Sequence, residues 1–164
     1  MGFFDKAKSF FGGHGVKVEI TRLERQDPGS VTFPITDSVF KGNYRVSAEK
    51  AATVLAHIHE IIVKKKHADG REETIVIASD KHDAETDILG CDLKWPYEIA
   101  AGQSVDDSFL ISDVDLPKVF RRLGYNPPED ALVDGSVEVL CRVTADVKGS
   151  PFDAEGVAKV KVIA

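Results

Sequence analysis

The sequence predicts an all-β fold, a sandwich or a barrel. Two observations support this class: many short runs of alternating apolar and polar residues, and turn residues between those runs. The chain has 164 residues, of which 43% are hydrophobic, enough for one domain with its own core. We therefore expect a single β-domain over residues 16–164, preceded by a separate N-terminal segment over residues 1–15.

The N-terminal segment, GFFDKAKSFF, places apolar residues at helical spacing and ends in the glycine run GGHG. This pattern predicts a short amphipathic helix and a glycine hinge. Burying a phenylalanine is worth about 1.5–3 kcal/mol, so we expect this face to be covered. Its candidate partner-binding residues are Phe3, Phe4, Phe10 and Phe11.

Three occupants are open for that aromatic face. The first is the β-domain, either of the same chain or of a second copy, which would make a homo-oligomer. The second is a groove on a partner protein. The third is a membrane surface, for which the cationic support is weak because only Lys6 and Lys8 flank the face.

The remaining elements follow in chain order. Turn residues such as the glycines at 70, 102 and 149 separate eight strand-like runs. These runs cover residues 16–23, 38–47, 53–65, 73–79, 86–99, 107–112, 136–147 and 156–164. Between the sixth and seventh runs, Asp115 can cap a helix that carries apolar residues at helical spacing and stops at Gly124. We expect a short helix in this crossover loop.

Composition and targeting signals narrow the function classes. The formal net charge is -6, which gives no reason to expect nucleic-acid binding. Cys91 and Cys141 show no pairing pattern, and no secretory signal precedes the domain, so we expect a cytosolic protein with reduced thiols. No apolar run approaches the roughly 18 residues of a transmembrane helix. Lys6 stands where a myristoylation signal needs Ser or Thr.

One histidine pair has the spacing of a metal site. His57 and His59 are two residues apart in a predicted strand, so both imidazoles project from one face and could hold Zn²⁺ or Ni²⁺ with a third ligand. Their same-face neighbours, Leu55, Ile61 and Val63, are apolar, which favours a half-buried pair without a metal. We expect no cofactor, and treat these histidines as weak candidates only.

An acidic segment and a proline complete the candidates. SDKHDAETD, residues 79–87, clusters carboxylates but lacks the EF-hand pattern, so we expect a solvated loop. In WPYE, Pro96 indicates a strand edge or a bulge, which makes Trp95 and Tyr97 candidate partner-binding residues. No nucleophile motif such as G-x-S-x-G is present, and we expect no catalytic residues.

Several of these patterns together resemble a known family. The matching residues are Phe3, Phe4, Lys6, Lys8, the strand 16–20, Tyr97, Glu98, Ile99, Gly102, Phe109, Leu116-Pro117 and the last two strand-like runs. The chain resembles the arrestin-like superfamily and, within it, the bacterial sporulation-control (SpoOM-like) protein family. It departs from the arrestin pattern in having length for only one of two lobes, and in the long insertion VFRRLGYNPPEDA.

The resemblance implies an arrestin-like, immunoglobulin-type β-sandwich. It also implies a non-enzymatic cytosolic adaptor or regulatory scaffold, in a sporulation or stress-type pathway, that binds protein partners through sheet edges, loops and the N-terminal aromatic segment. Two alternatives stay open: a small-ligand or metal-binding sandwich that uses His57 and His59, and a peripheral membrane protein that uses the N-terminal helix.

Overall fold

The computed structural model describes residues 15–24, 32–86 and 93–164. The predicted N-terminal helix and its four phenylalanines lie outside the described residues. Within those ranges the chain forms strands β1 (Val16–Glu24), β2 (Thr32–Pro34), β3 (Phe40–Ala48), β4 (Ala52–Lys66), β5 (Glu72–Asp83), β6 (Tyr97–Ile99), β7 (Ser104–Ile111), β8 (Val137–Val147), β9 (Ala154–Lys159) and β10 (Lys161–Ile163), and helices α1 (Leu116–Arg122) and α2 (Asp130–Val133).

Two antiparallel sheets face each other across one core. The smaller sheet has the order β1-β3-β7, and the larger has the order β5-β4-β8-β9, with β6 paired to the first residues of β4. β2 and β10 form a separate parallel pair. Alternate side chains of both sheets point between them, as sandwich packing requires. The predicted all-β sandwich is confirmed.

The part of the core near the crossover helix contains two stacked phenylalanine rings. Phe33 and Phe40 stack with ring centroids 4.6 Å apart, and both are buried. Leu116 and Phe120 of α1 bury in the same cluster. Asp115 caps α1 by accepting a hydrogen bond from the Lys118 backbone N–H at 3.0 Å. The crossover helix predicted from the sequence is therefore confirmed.

Glycine permits a close approach of the two sheets where β1 crosses β9. A Cβ on Gly156 would lie 2.6 Å from the Val18 carbonyl oxygen, closer than any side chain tolerates. Glycine is thus required at this position because backbone, not a movable side chain, occupies the space.

Several details of the predicted elements were wrong. Within the described residues, the run predicted over 86–99 forms a strand only in β6, at Tyr97–Ile99. The expected loop at residues 79–87 begins later, since β5 continues through Asp83 and pairs with β4 along its length. The last predicted run is two strands, β9 and β10, interrupted at Val160. Polar residues such as Asp80 are tolerated in β5 because they face other polar side chains across the strand pair.

Candidate functional site

The main candidate site is a group of polar side chains between the sheets, beside the middle of β4, where buried apolar residues lie on either side of the two histidines. On β4, His57 lies directly opposite His82 of β5, and His59 lies opposite Asp80. Directly opposed residues project to the same face of a sheet. We call the following set the histidine cluster: Tyr44, His57, His59, Asp80, His82, Tyr97 and Asp107.

Asp107 and Tyr44 come from the facing sheet and organise the cluster. They are cross-strand partners in β7 and β3. The Tyr44 hydroxyl donates to Asp107 Oδ2 at 2.8 Å, so its oxygen is left to accept from His57 Nδ1 at 2.6 Å and from His59 Nε2 at 2.8 Å. This network places the proton of His59 on Nε2 and the proton of His57 on Nδ1.

Tyr97 and Trp95 close the cluster from the side of β6. With its proton on Nδ1, His57 accepts at Nε2 from the Tyr97 hydroxyl at 2.7 Å. The Trp95 ring packs edge-on against His57, with centroids 4.7 Å apart. The structure therefore places Tyr97, which the sequence marks as a candidate partner-binding residue, inside the fold, and leaves Trp95 half-buried beside it.

Burial keeps both β4 histidines neutral. His57 and His59 have no exposed surface. Burial first, and then the neighbouring charges of His82 and His57, lower the pKa of His59 to about 3. Burial also lowers the pKa of His57, although a hydrogen bond to Asp107 acts in the opposite direction. At pH 7 both rings act as neutral hydrogen-bonding groups.

Asp107 supplies the buried negative charge of the cluster. Burial by itself would raise its pKa, but hydrogen bonds from His57, His82, the Ser108 backbone N–H and Tyr44 outweigh burial and hold the pKa well below its usual range. A carboxylate with this many donors stays ionised. It thereby fixes the direction of the hydrogen bonds around it.

Among the buried side-chain nitrogens and oxygens of the described residues, one has no hydrogen bond. His59 Nδ1 is buried and lacks a partner, although Asp80 Oδ2 lies 3.4 Å away. Since the proton of His59 is on Nε2, Nδ1 presents a lone pair to a carboxylate oxygen, and neither atom can donate. A buried polar atom left in this state costs about 1–3 kcal/mol.

His59, Asp80 and His82 bring three ligand atoms within 4.8 Å of one another. The sequence indicated His57 and His59 as the pair to consider. The structure separates their roles, because both nitrogens of His57 are hydrogen-bonded while His59 keeps one nitrogen open. Sequence reasoning passed over Asp80 and His82 because it assigned them to a loop. Their spacing of two residues, the same as that of the β4 histidines, was the available signal.

A second candidate surface is the outer edge of β5. β5 is 12 residues long and ends the order of the larger sheet, and within the described ranges it pairs only with β4. Val76 lies opposite Ile62, on the face away from the core, and is 47% exposed. Long edge strands with unpaired backbone groups are sites of strand addition.

The comparisons with known proteins address the fold. No protein-family model matches the chain, and no curated protein matches its sequence. The solved structure of Spo0M, a sporulation control protein from Bacillus subtilis, matches 92% of this chain with a TM-score of 0.58 and 16% identity. The described chain has the Spo0M-like, arrestin-type fold. The chain spans half the length of the Spo0M chain in that structure.

A second solved structure, the structural-genomics target SoR45, matches 90% of this chain and 86% of its own. Its TM-score is 0.37 at 12% identity. Separately, no helix in the described ranges is long and apolar enough to cross a membrane.

Proposed function

We propose that this protein is a non-enzymatic regulatory adaptor that binds an extended segment of a partner protein along the outer edge of β5. The observation that carries the proposal is the length of that edge: 12 residues, paired on one side only within the described chain. The Spo0M-like fold supports a regulatory role, since Spo0M is a sporulation control protein.

The chemistry of β5 suits strand addition. The outer backbone N–H and C=O groups of an edge strand provide affinity, and the side chains beside them provide selectivity. Val76, which is 47% exposed, supplies an apolar contact in the middle of the strand.

A non-enzymatic role is consistent with the placement of the histidine cluster. His57 and His59 have no exposed surface, so neither imidazole can contact a substrate in this conformation. Tyr44 and Asp107 hold the rings through a connected set of hydrogen bonds. These interactions hold the rings of His57 and Tyr44 in a packed interior.

The test is a quantitative pull-down from the cytosol of the source cell. Val76→Lys places a charge at the centre of the proposed site, and Val133→Lys places the same charge on a valine that is 86% exposed on α2. We expect Val76→Lys to lose partners that the wild type and Val133→Lys retain. Circular dichroism should show that all three proteins are folded.

A chain that starts at Val16 provides the second arm. Partners retained by Val76→Lys but lost from the truncated chain would contradict binding at β5 and assign recognition to the N-terminal aromatic segment. Partners retained by every variant would exclude both surfaces and move the search to other loops and edges.

A further inference from the structure

We propose that His59, Asp80 and His82 bind a divalent transition-metal ion of the Zn²⁺ class at the junction of β4 and β5. His59 and Asp80 are a directly opposed pair, and His82 lies two residues further along β5 on the same face. All three ligands therefore stand on regular strands, whose pairing fixes their spacing. The inference is independent of partner binding at the β5 edge.

The distances agree with a zinc polyhedron. Asp80 Oδ2 lies 3.4 Å from His59 Nδ1 and 3.4 Å from His82 Nε2. Zinc bonds to histidine nitrogen and carboxylate oxygen are about 2.0–2.2 Å long, so adjacent ligand atoms of a tetrahedral site lie roughly 3.3–3.6 Å apart. Two edges of the tetrahedron are thus already formed, and the third falls within 4.8 Å.

The protonation pattern points to a cation. The Nε2 proton of His59 is donated to Tyr44, so its buried Nδ1 lone pair faces the Asp80 carboxylate without a hydrogen between them. Two electron-rich atoms held in contact repel each other. A cation between them removes that repulsion and also satisfies the one buried side-chain nitrogen that the described chain leaves without a hydrogen bond.

Each histidine ligand has a partner on its other nitrogen. Tyr44 holds His59 Nε2 at 2.8 Å, and Asp107 accepts from His82 Nδ1 at 3.3 Å. Histidine ligands of metals usually donate their second N–H in this way, which fixes the tautomer and the ring orientation. The histidine cluster therefore supplies the outer contacts of the site as well as its ligands.

The composition and exposure of the site indicate the class of ion. Two imidazole nitrogens and one carboxylate oxygen favour Zn²⁺, Cu²⁺ or Ni²⁺ over Ca²⁺ and Mg²⁺. The side chains of Asp80 and His82 are 38% and 21% exposed, so an ion can enter from the β5 side. Three protein ligands leave a fourth position for water.

The experiment uses the full chain, purified without a histidine tag and stripped with a chelator. Calorimetric titration with ZnCl₂ should show one ion per chain. Co²⁺ in place of Zn²⁺ should give the strong visible absorption of a four-coordinate site. Absence of saturable Zn²⁺ binding, or a stoichiometry that differs from one, would overturn the proposal.

Three variants locate the ion. Asp80→Asn and His82→Gln change half-buried side chains and should leave the circular dichroism spectrum unchanged, while weakening Zn²⁺ binding by more than the roughly 10–100-fold that loss of an outer contact costs. His67→Gln is the matched control, because His67 also pairs with a carboxylate, Glu73 at 3.0 Å, but outside this group.

His67→Gln should bind Zn²⁺ as the wild type does. Wild-type affinity in both Asp80→Asn and His82→Gln would overturn the proposal, and so would loss of binding in His67→Gln. If one β5 variant fails to fold, the other gives the decision, since each removes one ligand.

Discussion

Two neighbouring stretches of β4 contribute different chemistry to the same interior. In the apolar part of the core, Ile61 and Val63 are fully buried among apolar side chains. In the polar part, beside the middle of β4, His57 and His59 are just as buried, yet they face tyrosine, aspartate and a third histidine. The apolar part stabilises the fold by burial alone. The polar part adds stability only where its hydrogen bonds are complete, and it leaves one nitrogen incomplete.

This difference is the basis of the proposed metal site. The apolar part of the core has no polar atom that could bind a ligand. The polar part can contain an atom without a hydrogen bond at a modest cost in stability, and that atom is then able to bind a ligand. The predictions below test whether the apolar and polar parts of the core differ in this way, beginning with the largest expected effect.

Phe40→Ala should be the most damaging change. The ring of Phe40 is fully buried and stacks on Phe33, so its removal leaves a cavity in the apolar part of the core. We expect the free energy of unfolding, measured by urea denaturation, to fall by about 3–5 kcal/mol. Phe152→Ala is the control, because Phe152 is 73% exposed. A loss below about 1 kcal/mol for Phe40→Ala would show that the apolar part of the core is loosely packed.

Tyr44→Phe should be the most destabilising single-atom change in the polar part of the core. It removes the hydroxyl that accepts from His57 and His59 and donates to Asp107. We expect the free energy of unfolding to fall by about 2–3 kcal/mol, because buried groups on three residues lose a partner. Urea denaturation measures the change. A neutral result would mean that water replaces the hydroxyl.

Acidification should lower the free energy of unfolding of the metal-free protein through His59, which lies in the polar part. Since burial lowers the folded-state pKa of His59 to about 3, the unfolded chain binds more protons below pH 6.5, and stability falls with pH. His57, His82, Asp80 and Asp107 face this ring, and the lowered pKa of His57 acts with the same sign.

Between pH 7 and pH 5, His59 alone should account for a loss of about 2 kcal/mol. Urea denaturation of chelator-treated protein at both pH values measures it, and His59→Gln should lose about that much less. Ile61→Val, in the apolar part of the core, should keep the wild-type pH dependence of the free energy of unfolding. An unchanged pH dependence in His59→Gln would contradict the assignment.

Tyr97→Phe should have the smallest effect of the four. Its hydroxyl donates to His57 Nε2 within the cluster, while the ring keeps its packing against Trp95. We expect the free energy of unfolding to fall by about 1 kcal/mol in urea denaturation. A loss equal to that of Tyr44→Phe would place Tyr97, rather than Tyr44, at the centre of the network.

Local sequence patterns determined most of the strands and the crossover helix. Period-two alternation predicted β1, β3, β4 and β8 close to their observed limits, and the Asp115 cap, helical spacing and Gly124 stop predicted α1. These signals work because each depends on residues a few positions apart, which the backbone of a strand or a helix brings onto one face.

Only the tertiary structure decided the histidine cluster. The spacing of His57 and His59 placed both on one face of a strand. Asp80 and His82 were expected in a loop, because a run of charged residues indicates a loop as long as its cross-strand partners are unknown. Tyr44 and Asp107 are 63 positions apart and meet as neighbours on the facing sheet. Strand order and register bring these groups together, and neither can be worked out from the spacing of residues within one strand.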